Sequence, residues 1–113
     1  IFVSDVVNAI VLSMNSKITK EIFNIGSGKT YSINYLVSLL GGKKIYIPKR
    51  PGEPDSTHAN ISKAKKLLNW KPKIKLDKGV KIILENIDYW KNAPLWNKNS
   101  INKATKDWFK YLK

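Results

Sequence analysis

Apolar residues recur at helical spacing in several separate stretches, each with its own start or stop signal. A first helix is expected from Ser4 or Asp5, with Val7, Ile10, Val11 and Met14 on one stripe. A second follows Ser32, whose hydroxyl suits a cap, carries Ile33, Leu36, Val37 and Leu40, and is ended by Gly41-Gly42. Asn60 is placed to cap a third with Ile61, Ala64, Leu67 and Leu68 inward, which Asn69-Trp70-Lys71-Pro72 terminates. Asp77 opens the longest predicted helix, with Val80, Ile83, Leu84 and Ile87 on one face. After Pro94, Ser100 caps a last one bearing Ile101, Ala104 and Trp108.

Between these lie short extended segments. Phe2 and Val3 read as the end of a strand, residues 21–25 alternate like a short strand, 44–47 like a second, and Ile74 and Leu76 flank lysines in an extended stretch. Residues 48–55 contain three prolines, which lack the amide donor, so this stretch is a shaped loop and neither a helix nor a central strand. The expected fold class is a small mixed α/β lobe, mostly helical with short strands. With no repeat and no low-complexity linker, the 113 residues form one domain, 1–113, with a detachable final helix after Asn92. A start at Ile1-Phe2-Val3, mid-element and without an initiator methionine, gives the expectation that upstream chain has been removed.

Composition narrows the function classes. Hydrophobic residues at 42% and charged ones at 26% suit a folded domain, not a disordered one. No apolar run approaches the ~20 residues of a membrane span and no basic leader is visible, so the expected location is the cytoplasm. With no cysteine and one histidine, His58, no zinc set or thiolate nucleophile can be assembled, and no metal is expected. His58 has no triad spacing around it and reads as a loop histidine.

A net charge of +13 makes polyanions candidate partners, and a small lysine-rich nucleic-acid-binding module is the alternative function on this ground alone. Every basic residue except Arg50 is lysine, however, whereas base edges and phosphates are gripped best by arginine's planar fork. Specific nucleic-acid binding is therefore the lesser reading. The aromatics, Trp70, Trp90, Trp96 and Trp108 among them, sit at helix ends or on apolar faces and are expected to pack rather than to stack bases.

Two motifs carry candidate chemistry. Gly28-Lys29-Thr30 looks like the end of a phosphate-binding loop, but Phe23 stands where that loop needs its first glycine, and Tyr31 replaces the third glycine of a dinucleotide fingerprint. A tight turn is the expected role. In Arg50-Pro51-Gly52-Glu53, a proline-braced loop sets a guanidinium suited to a diphosphate three residues from a carboxylate suited to sugar hydroxyls. The same residues serve equally for a surface ion pair of Arg50 with Glu53 or Asp55.

Taken in order, Phe2-Val3-Ser4-Asp5-Val6-Val7, Phe23-Asn24-Ile25-Gly26-Ser27-Gly28 with Ser32-Ile33, Arg50-Pro51-Gly52-Glu53-Pro54, Ala59-Asn60-Ile61-Ser62-Lys63-Ala64 and Leu68-Asn69-Trp70-Lys71-Pro72 resemble the C-terminal part of the NAD-dependent nucleotide-sugar epimerase/dehydratase family, the extended short-chain dehydrogenases. The resemblance runs to about Ile87, with a weaker match in the closing tryptophan-containing stretch. It implies a substrate-binding lobe cut from a larger Rossmann-type enzyme. Arg50 would bind the diphosphate of a nucleotide sugar, Glu53 would hydrogen-bond the ribose, Ile33 would pack near the base, and Thr57 would face substrate. Asn60 replaces the family's usual Asp at a helix start, where either residue caps. NAD and the catalytic Tyr-x-x-x-Lys belong to the missing N-terminal Rossmann domain, and no tyrosine here has lysine four residues on. No catalytic, metal or cofactor-binding residue is therefore expected within the chain, which should be inactive alone. The parent is expected to be a homodimer.

Overall fold

The computed structural model describes residues 1–112. The α-helices are α1 (Val3–Met14), α2 (Ile33–Leu40), α3 (Ser62–Leu68), α4 (Leu76–Glu85) and α5 (Lys98–Tyr111), with a 3-10 turn over Ile87–Trp90. About half of the described residues are helical and none of them forms a strand. The mostly helical expectation is met. Segments 21–25 and 44–47 lack a ladder partner among the described residues, and Val3 belongs to the first turn of α1, not to a strand. Alternation tells a segment which face is apolar, but a ladder also needs a neighbouring backbone.

The caps explain where the helices begin. Ser32 Oγ accepts the amide of Tyr35 at 3.1 Å, and Gly41 ends α2 at φ 72°, as expected. Asn60 Oδ1 accepts the Ser62 amide at 3.0 Å, so it serves the first turn of α3 although Ile61 takes the cap position. Leu67 is exposed instead of inward, because at 100° per residue it lies about 90° around from the stripe of Ile61, Ala64 and Leu68. The longest helix is α5, not the one from Asp77. Asn97 caps it and Ser100 sits three residues in, each side chain taking the other's backbone amide, at 3.0 and 2.9 Å. Helix α4 opens at Leu76 and stops at Glu85, leaving Ile87 to the 3-10 turn.

Helix α1 packs on α3, and α2 on α4. The first pair closes over Ala9, Ile61, Ala64, Leu68 and Trp70, with Leu12, Ile18, Phe23, Ile25 and Ala59 against them. Asn69, left-handed at φ 49°, reverses the chain after α3 so that Trp70 folds back beneath it. The Trp70 indole N–H donates to the carbonyl of Asp5 at 3.0 Å, and the Asp5 carboxylate, itself buried, accepts the amide of Ile74 at 2.9 Å. One residue of α1 thus ties two points, Trp70 and Ile74, of the segment that joins α3 to α4. Expectation and structure agree that Trp70 packs, whereas Trp90 and Trp96 stay exposed.

The apolar stripe of α1 faces outward: Val7, Ile10, Val11 and Met14 are exposed, and the helix presents Asp5, Ala9 and Leu12 inward. Exposed surface totals 9947 Å², against about 6,300 Å² for a folded monomer of this mass. The radius of gyration is 17.8 Å, against about 13 Å for a compact domain of this length. Among the described residues no helix is long and apolar enough to cross a membrane.

Candidate functional site

The turn at Gly26-Ser27-Gly28 is seated directly on residues 59–61. A Cβ on Gly26 would lie 2.6 Å from Cβ of Ala59, and one on Gly28, at φ +66°, would lie 2.7 Å from Cδ1 of Ile61. At Gly26 the rigid Ala59 methyl leaves no room for a side chain, and at Gly28 the left-handed backbone disfavours one even if the Ile61 tip moves aside. Ser27 closes the turn on itself, donating to the Lys29 carbonyl at 2.7 Å and accepting the Lys29 amide at 3.3 Å. The Lys29 amide is therefore engaged inside the turn, and the glycine faces lie against Ala59 and Ile61. Residues 26–28 thus make a tight turn, as expected. Gly26→Ala should destabilise the chain by about 1–2 kcal/mol through overpacking against Ala59, measured by urea unfolding; no loss would mean the 59–61 segment yields freely.

This turn, the start of α2 and residues 57–59 surround an open cleft of about 500 Å³, lined by Ile33, Thr57, Thr30, Tyr31 and His58 among others. A neighbouring cleft of about 340 Å³ shares Ser27, Lys29, Tyr31 and Leu36 with it and has Phe2, Ile74 and Val80 for its apolar wall. Both are in the size range that small ligands occupy. The rings of Tyr31 and Tyr35 stack at 6.0 Å beside them. Spacing alone did not single out Tyr31, Lys29 or His58 as lining residues. The visible signal was the glycine pair that brings the turn against residues 59–61.

Arg50 and Glu53 form a second pair elsewhere. Gly52, at φ 72°, lets the loop turn, and the Glu53 amide reaches the Arg50 carbonyl at 3.3 Å. Arg50 Nε donates to Glu53 Oε2 at 3.0 Å and Nη2 donates to Oε1 at 2.6 Å, a forked pairing on half-exposed side chains. Asp55 pairs with Lys49 instead. The Arg50 hydrogen bond, with the charges of Arg50 and Lys49, holds the Glu53 carboxyl below its ordinary range against an opposing desolvation, and Glu53 raises Arg50 in turn. Because the folded value of Glu53 is depressed, its contribution to the loop is present above the ordinary carboxylate range and is lost as pH falls through the folded value. The guanidinium also lies 4.9 Å from the centre of the Trp108 ring, whose indole N–H donates to the Pro51 carbonyl at 2.8 Å. The structure thus brings Ile33 and Thr57 together at the cleft, and Arg50 and Glu53 together on the loop; neither Arg50 nor Glu53 lines that cleft.

The chain is similar to UDP-glucuronate 4-epimerase of Thermodesulfobacterium geofontis, 37% identical over 87 residues, 71% of this chain and 27% of that protein. It is 32% identical over 85 residues to UDP-glucuronic acid decarboxylase 1 of Xenopus tropicalis, 70% of this chain and 20% of that protein. It is also 32% identical over 95 residues to dTDP-4-dehydro-6-deoxyglucose reductase of Escherichia coli, 77% of this chain and 29% of that protein. The chain spans less than a third of the length of these relatives. No family model and no solved structure matches it.

Proposed function

We propose that the chain is the nucleotide-sugar-binding portion, and the C-terminal part, of an NAD-dependent nucleotide-sugar epimerase or dehydratase. One observation carries this reading. The relatives named above are an epimerase, a decarboxylase and a reductase, and what their names share is a sugar carried on a nucleoside diphosphate. A matched segment common to three different reactions belongs to the shared handle rather than to any one chemistry.

On this reading Arg50 grips the diphosphate, and Glu53, released from the guanidinium, accepts hydrogen bonds from the ribose hydroxyls. Exchange is feasible because the Arg50–Glu53 pair is half-exposed, and exposed pairs are weak. Ile33, three-quarters exposed on the cleft wall, offers an apolar surface to the base, and Thr57 a hydroxyl to the substrate. Binding at these points holds the nucleotide so that the sugar is presented to the reacting groups, binding energy used for positioning. Transient hydride transfer to NAD and the tyrosine base are assigned to an N-terminal Rossmann domain, and the chain alone catalyses nothing. That domain accounts for the surplus of exposed surface: it would cover the outward stripe of α1 and supply ladder partners for 21–25 and 44–47. The parent is a cytoplasmic homodimer on the same reading.

The test is calorimetric titration of the full-length protein with UDP. Arg50→Ala should raise the dissociation constant at least tenfold, and an unchanged constant would refute the assignment.

A further inference from the structure

Helix α5 is the least integrated element of the fold. None of its residues is buried, yet Trp108 makes two ties to the 50–53 loop. The hydrogen bond from the indole N–H to Pro51 fixes the ring relative to the loop, and the guanidinium carbon of Arg50 then lies over the ring, 4.9 Å from its centre. Glu53 takes one edge of the same group through Nε and Nη2. A cation set over an aromatic ring and held along one edge is restricted in orientation, and Nη1 takes no part in the pairing with Glu53. An aliphatic side chain in this place would supply neither the N–H for the Pro51 carbonyl nor an aromatic face to attract the cation.

We infer that Trp108 is a positioning residue for Arg50, so that α5 belongs to the diphosphate subsite; this rests on the nucleotide-sugar reading above. When Glu53 leaves the guanidinium for a ribose hydroxyl, the indole is the contact that remains to hold Arg50 in place. The stack also limits the rotamers that Arg50 would otherwise lose on binding, which is where its contribution to affinity arises.

The experiment titrates the full-length protein with UDP by calorimetry and with uridine at millimolar concentration by NMR, for the wild type, Trp108→Leu and Trp108→Phe. Trp108→Leu should weaken UDP roughly three- to fivefold and leave uridine unchanged. Trp108→Phe, which retains an aromatic ring but loses the N–H that ties it to Pro51, should recover part of the loss. Trp108 is 38% exposed on a helix that buries nothing, so the leucine variant should fold, and circular dichroism checks this. Equal weakening of uridine and UDP would mean a merely structural role and overturn the inference. Unchanged UDP affinity in Trp108→Leu, with Arg50→Ala still weakened, overturns this inference alone. A wild type that binds neither UDP nor dTDP overturns both this inference and the nucleotide-sugar reading.

Discussion

Trp70→Ala is expected to lower the stability of the chain by about 3–5 kcal/mol, measured by urea unfolding followed by circular dichroism. Trp70 is the largest fully buried side chain, 1% exposed, and it fills the space under α3 against Ala64, Leu68 and α1. Truncation removes the indole volume and the hydrogen bond that the indole N–H gives the Asp5 carbonyl. Since whole domains are stable by about 5–15 kcal/mol, this one change would consume much of the total. Trp70→Phe keeps most of the ring and should lose less. A loss below about 1 kcal/mol for the alanine variant would show that the α1–α3 core does not depend on this residue.

The second large effect is expected at Asp5. Asp5→Ala should destabilise by about 1.5–3 kcal/mol, because the Ile74 amide loses a charged acceptor in a partly buried position. Asp5 also lies in the first turn of α1, where a carboxylate complements the positive end of the helix. Asp5→Asn retains an acceptor oxygen and should lose distinctly less, measured in the same unfolding assay. If asparagine is as damaging as alanine, charge rather than the hydrogen bond holds the seam. Because Asp5 joins Trp70 and Ile74 at one point, changes at Asp5 and Trp70 should not add independently.

The helices were legible because they rest on short-range rules. Ser32 and Gly41 bracket α2, Asn69 and Pro72 end the run after α3, and apolar spacing marks α4. The start of α5 was misplaced because Asn97 and Ser100 are both good caps three residues apart, and their reciprocal bonds make the earlier one the cap. The inward face of α1 was not legible: its most apolar stripe is exposed, whereas Asp5 and Ala9 are buried. Hydrophobicity says that a stripe will be covered, not by which neighbour. At the site, the residue types of the 50–53 loop showed that Arg50 and Glu53 could meet. The contribution of Trp108 was invisible because it lies 57 residues from its partner carbonyl and depends on how the chain returns.

The outward stripe of α1 has a consequence for the chain before anything covers it. A body with bare aliphatic side chains would ordinarily cling to its own copies, but this one carries a charge of +13. At ionic strengths near 0.1 M that repulsion reaches about 10 Å, beyond the range of apolar contact, and at 1 M it shrinks to about 3 Å. Its lysine coat therefore acts as a colloidal barrier during synthesis, and concentrated salt, by stripping that barrier away, exposes the chain to clumping.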